Sequence, residues 1–183
     1  MKKKIVIIVS FFIFFSFNSY ALIEVDITRG NLNPLPIAVS PLFIDSASES
    51  EISKELGELK IGLEISKIIE NNLKQTGLFN PLNKEAFVQK PDIAHLKPRF
   101  EDWQLIKAQA LITGKVEMFD NNLRVEFRLW DILAGREMLA LAFTTVPNNY
   151  RRVGHIITDK VYQRLTGEEG YFDTRIIYVA EEG

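Results

Sequence analysis

Residues Ala110 to Thr145 repeat a two-residue alternation three times, a pattern that demands a β-sheet. Leu123, Val125, Phe127 and Leu129 alternate with Arg124, Glu126 and Arg128, so an extended chain carries an apolar row on one face and a charged row on the other. Before that stretch, Ile112, Val116 and Met118 alternate with Thr113, Lys115 and Glu117; after it, Leu139, Leu141 and Phe143 alternate with Ala140 and Ala142. Asp120-Asn121-Asn122 and Leu133-Ala134-Gly135 supply the turns, since Asn, Asp and Gly tolerate the left-handed backbone of tight hairpins. On the polar row, Lys115 and Glu117 are expected to meet Glu126, Arg124 or Arg128 across the ladder, each pair contributing about 0.2–1 kcal/mol. The apolar row needs a cover.

The flanking segments are suited to provide it. Pro36 to Phe43 is apolar on both faces and reads as one strand covered on both sides. Asp45 to Glu51, rich in Ser and Glu, reads as a solvated loop. Leu59, Leu63, Ile65, Ile68, Ile69 and Leu73 then recur near a 3.6-residue period, which predicts an amphipathic helix closed by Gly77. Leu78 to Leu82 is a short extended piece, Lys84 to Pro98 mostly loop, and Phe100 to Lys107 one or two helical turns. A second helix starts at Pro147-Asn148, places Tyr150, Val153, Ile157, Val161 and Leu165 on one face, and stops at Gly167. Arg151 and Arg152 in its first turn oppose the helix dipole by about 0.3–1 kcal/mol each if exposed, so packing must outweigh them. The class is α/β.

The amino terminus bounds the compartment. Lys2, Lys3 and Lys4 precede an uncharged apolar run from Ile5 to Phe17, and Ser19-Tyr20-Ala21 offers small residues at a cut: the order of a secretory signal peptide over residues 1–21. The competing reading is a membrane anchor, but the run is shorter than the roughly 20 residues a spanning helix needs. Cleavage after Ala21 takes three of the 22 basic residues and none of the 24 acidic ones, moving the formal net charge from −2 to −5. No basic cluster remains to suggest a nucleic-acid surface. With no cysteine, the fold in an oxidising compartment rests on its core alone.

The mature chain would begin with another alternation: Ile23, Val25 and Ile27 on one side, Glu24, Asp26 and Thr28 on the other, broken by the Gly/Asn/Pro stretch from Arg29 to Pro34. This is either an edge strand or a detachable arm over residues 22–34. At the other end, Thr174 to Ala180 is β-rich and apolar, which predicts a strand whose partners lie in a further domain.

Little here is catalytic. His95 lies in a Pro-rich loop without a second ligand at metal spacing; His155 stands four residues before Asp159 on the second helix, either a base with its orienting carboxylate or, better supported, a helix-surface or capping pair. No nucleophile elbow, phosphate loop or metalloprotease helix is present, so no catalytic, cofactor-binding or metal-ligating residue is assigned. Trp103 and Trp130 read as core or edge packing rather than an aromatic binding surface.

Four stretches together resemble one family: Gly77-Leu78-Phe79-Asn80-Pro81-Leu82, the helix from Val153-Gly154-His155 to Lys160, Leu165-Thr166-Gly167, and Gly170-Tyr171-Phe172-Asp173-Thr174-Arg175-Ile176-Ile177-Tyr178-Val179. Their order and spacing are similar to the amino-terminal domain of the TolB family of the Tol-Pal system. The acidic stretch from Asp45 to Gly57 is longer than the family pattern. The resemblance implies a mixed β-sheet flanked by helices over residues 35–170, similar to anticodon-binding domains but without an RNA function. It also implies a β-propeller beginning within residues 171–183, with a period of about 40 residues per blade. It further implies a non-catalytic periplasmic adaptor without cofactor. The propeller would carry most of the contact with a Pal-like lipoprotein. The peptide Leu22, Ile23, Glu24, Val25, Asp26, Ile27, Thr28, Arg29 and Gly30 would reach a TolA-like inner-membrane protein, in a system supporting outer-membrane integrity and constriction at division. From the residues alone, a small periplasmic enzyme or ligand-binding domain with a site near His155 stays open.

Overall fold

A computed structural model describes residues 23–25 and 33–174 of the chain. The strands are β1 (Leu35–Val39), β2 (Phe43–Ile44), β3 (Phe79–Pro81), β4 (Ala110–Phe119), β5 (Asn122–Asp131) and β6 (Arg136–Thr145). The helices are α1 (Ser46–Leu56), α2 (Ile61–Gln75), α3 (Pro91–Ala94), α4 (Phe100–Leu105) and α5 (Tyr150–Thr166), with 3-10 turns at Lys84–Ala86 and Pro147–Asn149. The sheet runs β3-β1-β4-β5-β6, and β2 joins β4 beyond the end of β1. β1 is parallel to β3 and β4, whereas β4, β5 and β6 form an antiparallel meander. The sheet is therefore mixed, as the family resemblance implies.

The apolar row read from the sequence is the main core. Leu123, Val125, Phe127 and Leu129 are fully buried together with Ile112 and Val116, under α2 and α5. The two helices cross closely because Gly154 has no side chain: a Cβ there would lie 2.9 Å from Ile68 Cγ2. β1 is covered on both faces, Ile37 and Val39 facing this core and Ala38 a smaller one with Trp103, Leu111, Trp130 and Ile132. Both indole N–H groups are satisfied inside, Trp103 donating to Gln89 Oε1 at 2.7 Å and Trp130 to Thr113 Oγ1 at 2.9 Å. The tryptophans are packing residues.

Several expectations change. Asp45 to Glu51 is not a solvated loop: Asp45 caps α1, accepting from Ser48 N at 2.9 Å, and Ser48 and Ile52 are buried beneath the helix. So few apolar residues fall within α1 that its period was hidden. Pro36 to Phe43 is not one strand; the chain steps aside at Ser40–Leu42, where Leu42 N donates to Gly62 O at 3.1 Å, and resumes as β2. The Lys84–Pro98 segment holds a 3-10 turn and the four-residue α3 within its loop. On the polar row Lys115 stands opposite Glu126, and Glu117 opposite Arg124, as expected. The ion pairs nevertheless run along the strands, Lys115 to Glu117 and Arg124 to Glu126, with Arg128 reaching Glu137 across β5 and β6 at 3.6 Å. Along a strand, i and i+2 share a face, and long side chains choose either neighbour at little cost. The signal peptide and the strand expected at 175–180 lie outside the described residues.

Candidate functional site

α5 ends at Gly167, whose φ of 79° is the left-handed C-cap that the sequence predicts. A helix end leaves its last carbonyls without intrahelical partners. Gly167 N satisfies Gln163 O at 2.9 Å, and Leu165 O receives Val25 N at 2.7 Å. The amino-terminal segment thus completes the helix end from outside. Val25 is 4% exposed and joins the main core, while Ile23 and Glu24 lie along a shallow cleft of about 360 Å³ shared with Leu139, Lys160, Gln163, Arg164 and Gly167. Three residues of the expected arm are therefore docked, with the apolar Ile23 and Val25 packed against the core and Glu24 exposed. Leu22, Asp26, Ile27, Thr28, Arg29 and Gly30 lie outside the described residues. The composition of the seat was not anticipated. Its one signal was Gly167, which announces a helix end with carbonyls to satisfy.

Beside the seat, the chain leaving α5 is pinned to it. Asp159 accepts from Phe172 N at 2.7 Å and from Asp173 N at 3.0 Å, and the Arg152 guanidinium grips the Asp173 carboxylate in a fork. Gly170 passes so near that a Cβ would lie 2.4 Å from Asp159 Cα. Tyr171 and Phe172 pack on the ring of Tyr162, and burial, aided by Tyr171 and Glu168, holds the Tyr162 phenol above its usual value.

The second candidate places its residues differently from the expected pair. His155 does not meet Asp159, whose two oxygens are taken by the 172–173 amides. Instead the amide of Asn72 on α2 donates to His155 Nδ1 at 2.9 Å and to Thr158 Oγ1 at 3.2 Å, a polar clamp between the two helices. His95 stacks on Phe43, ring centroids 4.4 Å apart, and its Nδ1 lies 2.9 Å from Pro91 O. Among the described residues no group of three or more His, Asp or Glu is placed to hold a metal ion, and no helix is long and apolar enough to cross a membrane.

The family model for the TolB amino-terminal domain matches residues 23–138, from the docked segment into β6. The chain belongs to the TolB family. The Tol-Pal system protein TolB of Pelagibacter ubique (strain HTCC1062) is 72% identical over 172 residues, covering 94% of this chain and 39% of that protein. The chain thus spans about two-fifths of that relative's length. The crystal structure of TolB from Acinetobacter baumannii aligns with a TM-score of 0.59 at 20% identity, covering 83% of this chain and 33% of that one. That is a likeness of fold.

Proposed function

We propose that this chain is a non-catalytic periplasmic adaptor of the Tol-Pal envelope system. It is exported by residues 1–21 and offers Leu22–Gly30 to a TolA-like inner-membrane protein. The α/β body over 35–170 orients a Pal-binding propeller beginning within 171–183, and the assembly supports outer-membrane integrity and division. The observation that carries this reading is the seat of Ile23–Val25. The segment alternates apolar and polar residues in sequence, and its described residues are held by one backbone bond and one buried side chain. An alternating peptide of this kind is suited to strand addition at a partner's sheet edge. Ordering a released peptide opposes binding, so the affinity is micromolar rather than nanomolar. The Asn72 amide on His155 Nδ1 and the engagement of Asp159 elsewhere favour the adaptor over an enzyme centred on His155.

Calorimetric titration against a TolA carboxyl-terminal domain tests it. Deletion of Leu22–Gly30, and Val25→Pro, which lacks the backbone donor, abolish binding, while His155→Ala retains it. Undiminished binding by the deletion refutes the proposal.

A further inference from the structure

β6 closes the sheet on one side, and the direction of its backbone groups follows from the turn that starts the meander. Asp120 and Asn121 form a two-residue turn with φ of 47° and 59°, so Phe119 and Asn122, directly opposed, are the hydrogen-bonded pair closing a type I′ hairpin. By alternation, Arg124, Glu126 and Arg128 turn their amides and carbonyls toward β4, and Val125, Phe127 and Leu129 turn theirs toward β6. The β6 partners of these last three are Phe143, Leu141 and Leu139. The amides and carbonyls of Ala140, Ala142 and Thr144 therefore point away from the sheet, and among the described residues none pairs with them.

Soluble proteins ordinarily blunt such an edge with charge, proline or a bulge. From Met138 to Thr145 there is no charged residue, proline or glycine, and the one register shift lies at the Met138 end. Ala140, Ala142 and Thr144 are small and exposed, so another backbone can approach. On the opposite face Leu139, Leu141 and Phe143 are only partly buried and leave an apolar strip. Near Met138 that strip is bordered by Lys160 and Arg164 of α5, and the Arg164 guanidinium donates to Met138 O at 3.2 Å, so its charge reaches the edge itself.

We propose that the outer edge of β6 accepts an extended strand of a partner polypeptide, apolar along one row and acidic where it passes Lys160 and Arg164. This surface receives a strand, whereas Leu22–Gly30 lends one; the two meet at Leu139, Lys160 and Arg164, beside which Ile23 and Glu24 lie, while Ala140 to Thr144 extend beyond that cleft.

The test uses the full chain and a capped synthetic peptide in which valine alternates with glutamate and threonine, followed by fluorescence anisotropy. Wild type binds it, and a version with lysine for glutamate binds at least tenfold more weakly. Ala142→Pro removes an outward N–H without touching the ladder to β5, so it weakens binding tenfold or more at a nearly unchanged melting temperature. The double variant Lys160→Glu, Arg164→Glu reverses the charge preference, and decides the matter should the proline variant not fold. Equal binding of both peptides by wild type, or wild-type affinity in both variants, overturns the proposal. So does a wild-type dimer in sedimentation that Ala142→Pro dissolves, since a second copy would then be the occupant.

Discussion

Phe127 is fully buried with its ring nearly parallel to that of Phe143, whereas its neighbour Arg128 stands on the solvated face beside Glu137 and the Leu96 carbonyl. Truncating the first leaves a cavity that the meander cannot close, and truncating the second removes contacts that water replaces. Phe127→Ala should cost about 3–5 kcal/mol and Arg128→Ala less than about 1 kcal/mol in urea melts; comparable losses would mean the register is wrong. That contrast was legible from the alternation alone. The fate of Asp159 was not. Its spacing from His155 suggested a partner one turn away, but a carboxylate prefers two backbone donors in good geometry, and those come from Phe172 and Asp173. Sequence spacing shows which groups are within reach, and the chain's later path shows which one is met.

Among elements, α1 was missed because its signal lies at its start rather than along its length. Asp45 accepts from the backbone of Ser48, and that bond holds the carboxyl below its ordinary value, helped by the Ser48 hydroxyl at 3.1 Å. Because the folded value lies below the unfolded one, the cap contributes in full above pH of about 4 and is lost as pH falls through the folded value. Helical circular dichroism should therefore show α1 fraying at acid pH. Asp45→Asn, which still accepts from Ser48 N, should remove the acid step attributable to this residue, and Asp45→Ala should cost about 0.5–2 kcal/mol at neutral pH. An acid transition identical in wild type and the asparagine variant would mean that other carboxylates govern it. The other long helix boundaries followed from Gly77 and Gly167, whose φ values of 72° and 79° only glycine adopts freely.

At the scale of the whole molecule, the proposed partner binding would place the amino-terminal segment in two equilibria, one with its seat on α5 and one with the partner. Its alternation suggests a segment suited to strand pairing, but of the seat on α5 the sequence showed only the helix end that Gly167 announces, because an orphan helix carbonyl has no side-chain signature of its own. Burying Val25 is worth about 1.5–3 kcal/mol, so deleting Leu22–Gly30 should lower the melting temperature by about 3–10 °C, rather than leave it unchanged as a free arm would. The same seat opposes transfer of the segment to a partner. If release is required, the intact chain binds with its intrinsic affinity reduced by the fraction released. A synthetic peptide of residues 22–30 has no seat to leave and should bind a TolA carboxyl-terminal domain tighter than the intact chain, by about tenfold to a hundredfold. Val25→Ser, which keeps the backbone donor but loses the buried side chain, should bring the intact chain toward the peptide's affinity if the partner reads mainly backbone. Equal affinities for peptide and wild-type chain would mean that the segment binds without leaving α5, and strand addition by Leu22–Gly30 would then have to proceed from the residues flanking Val25 alone.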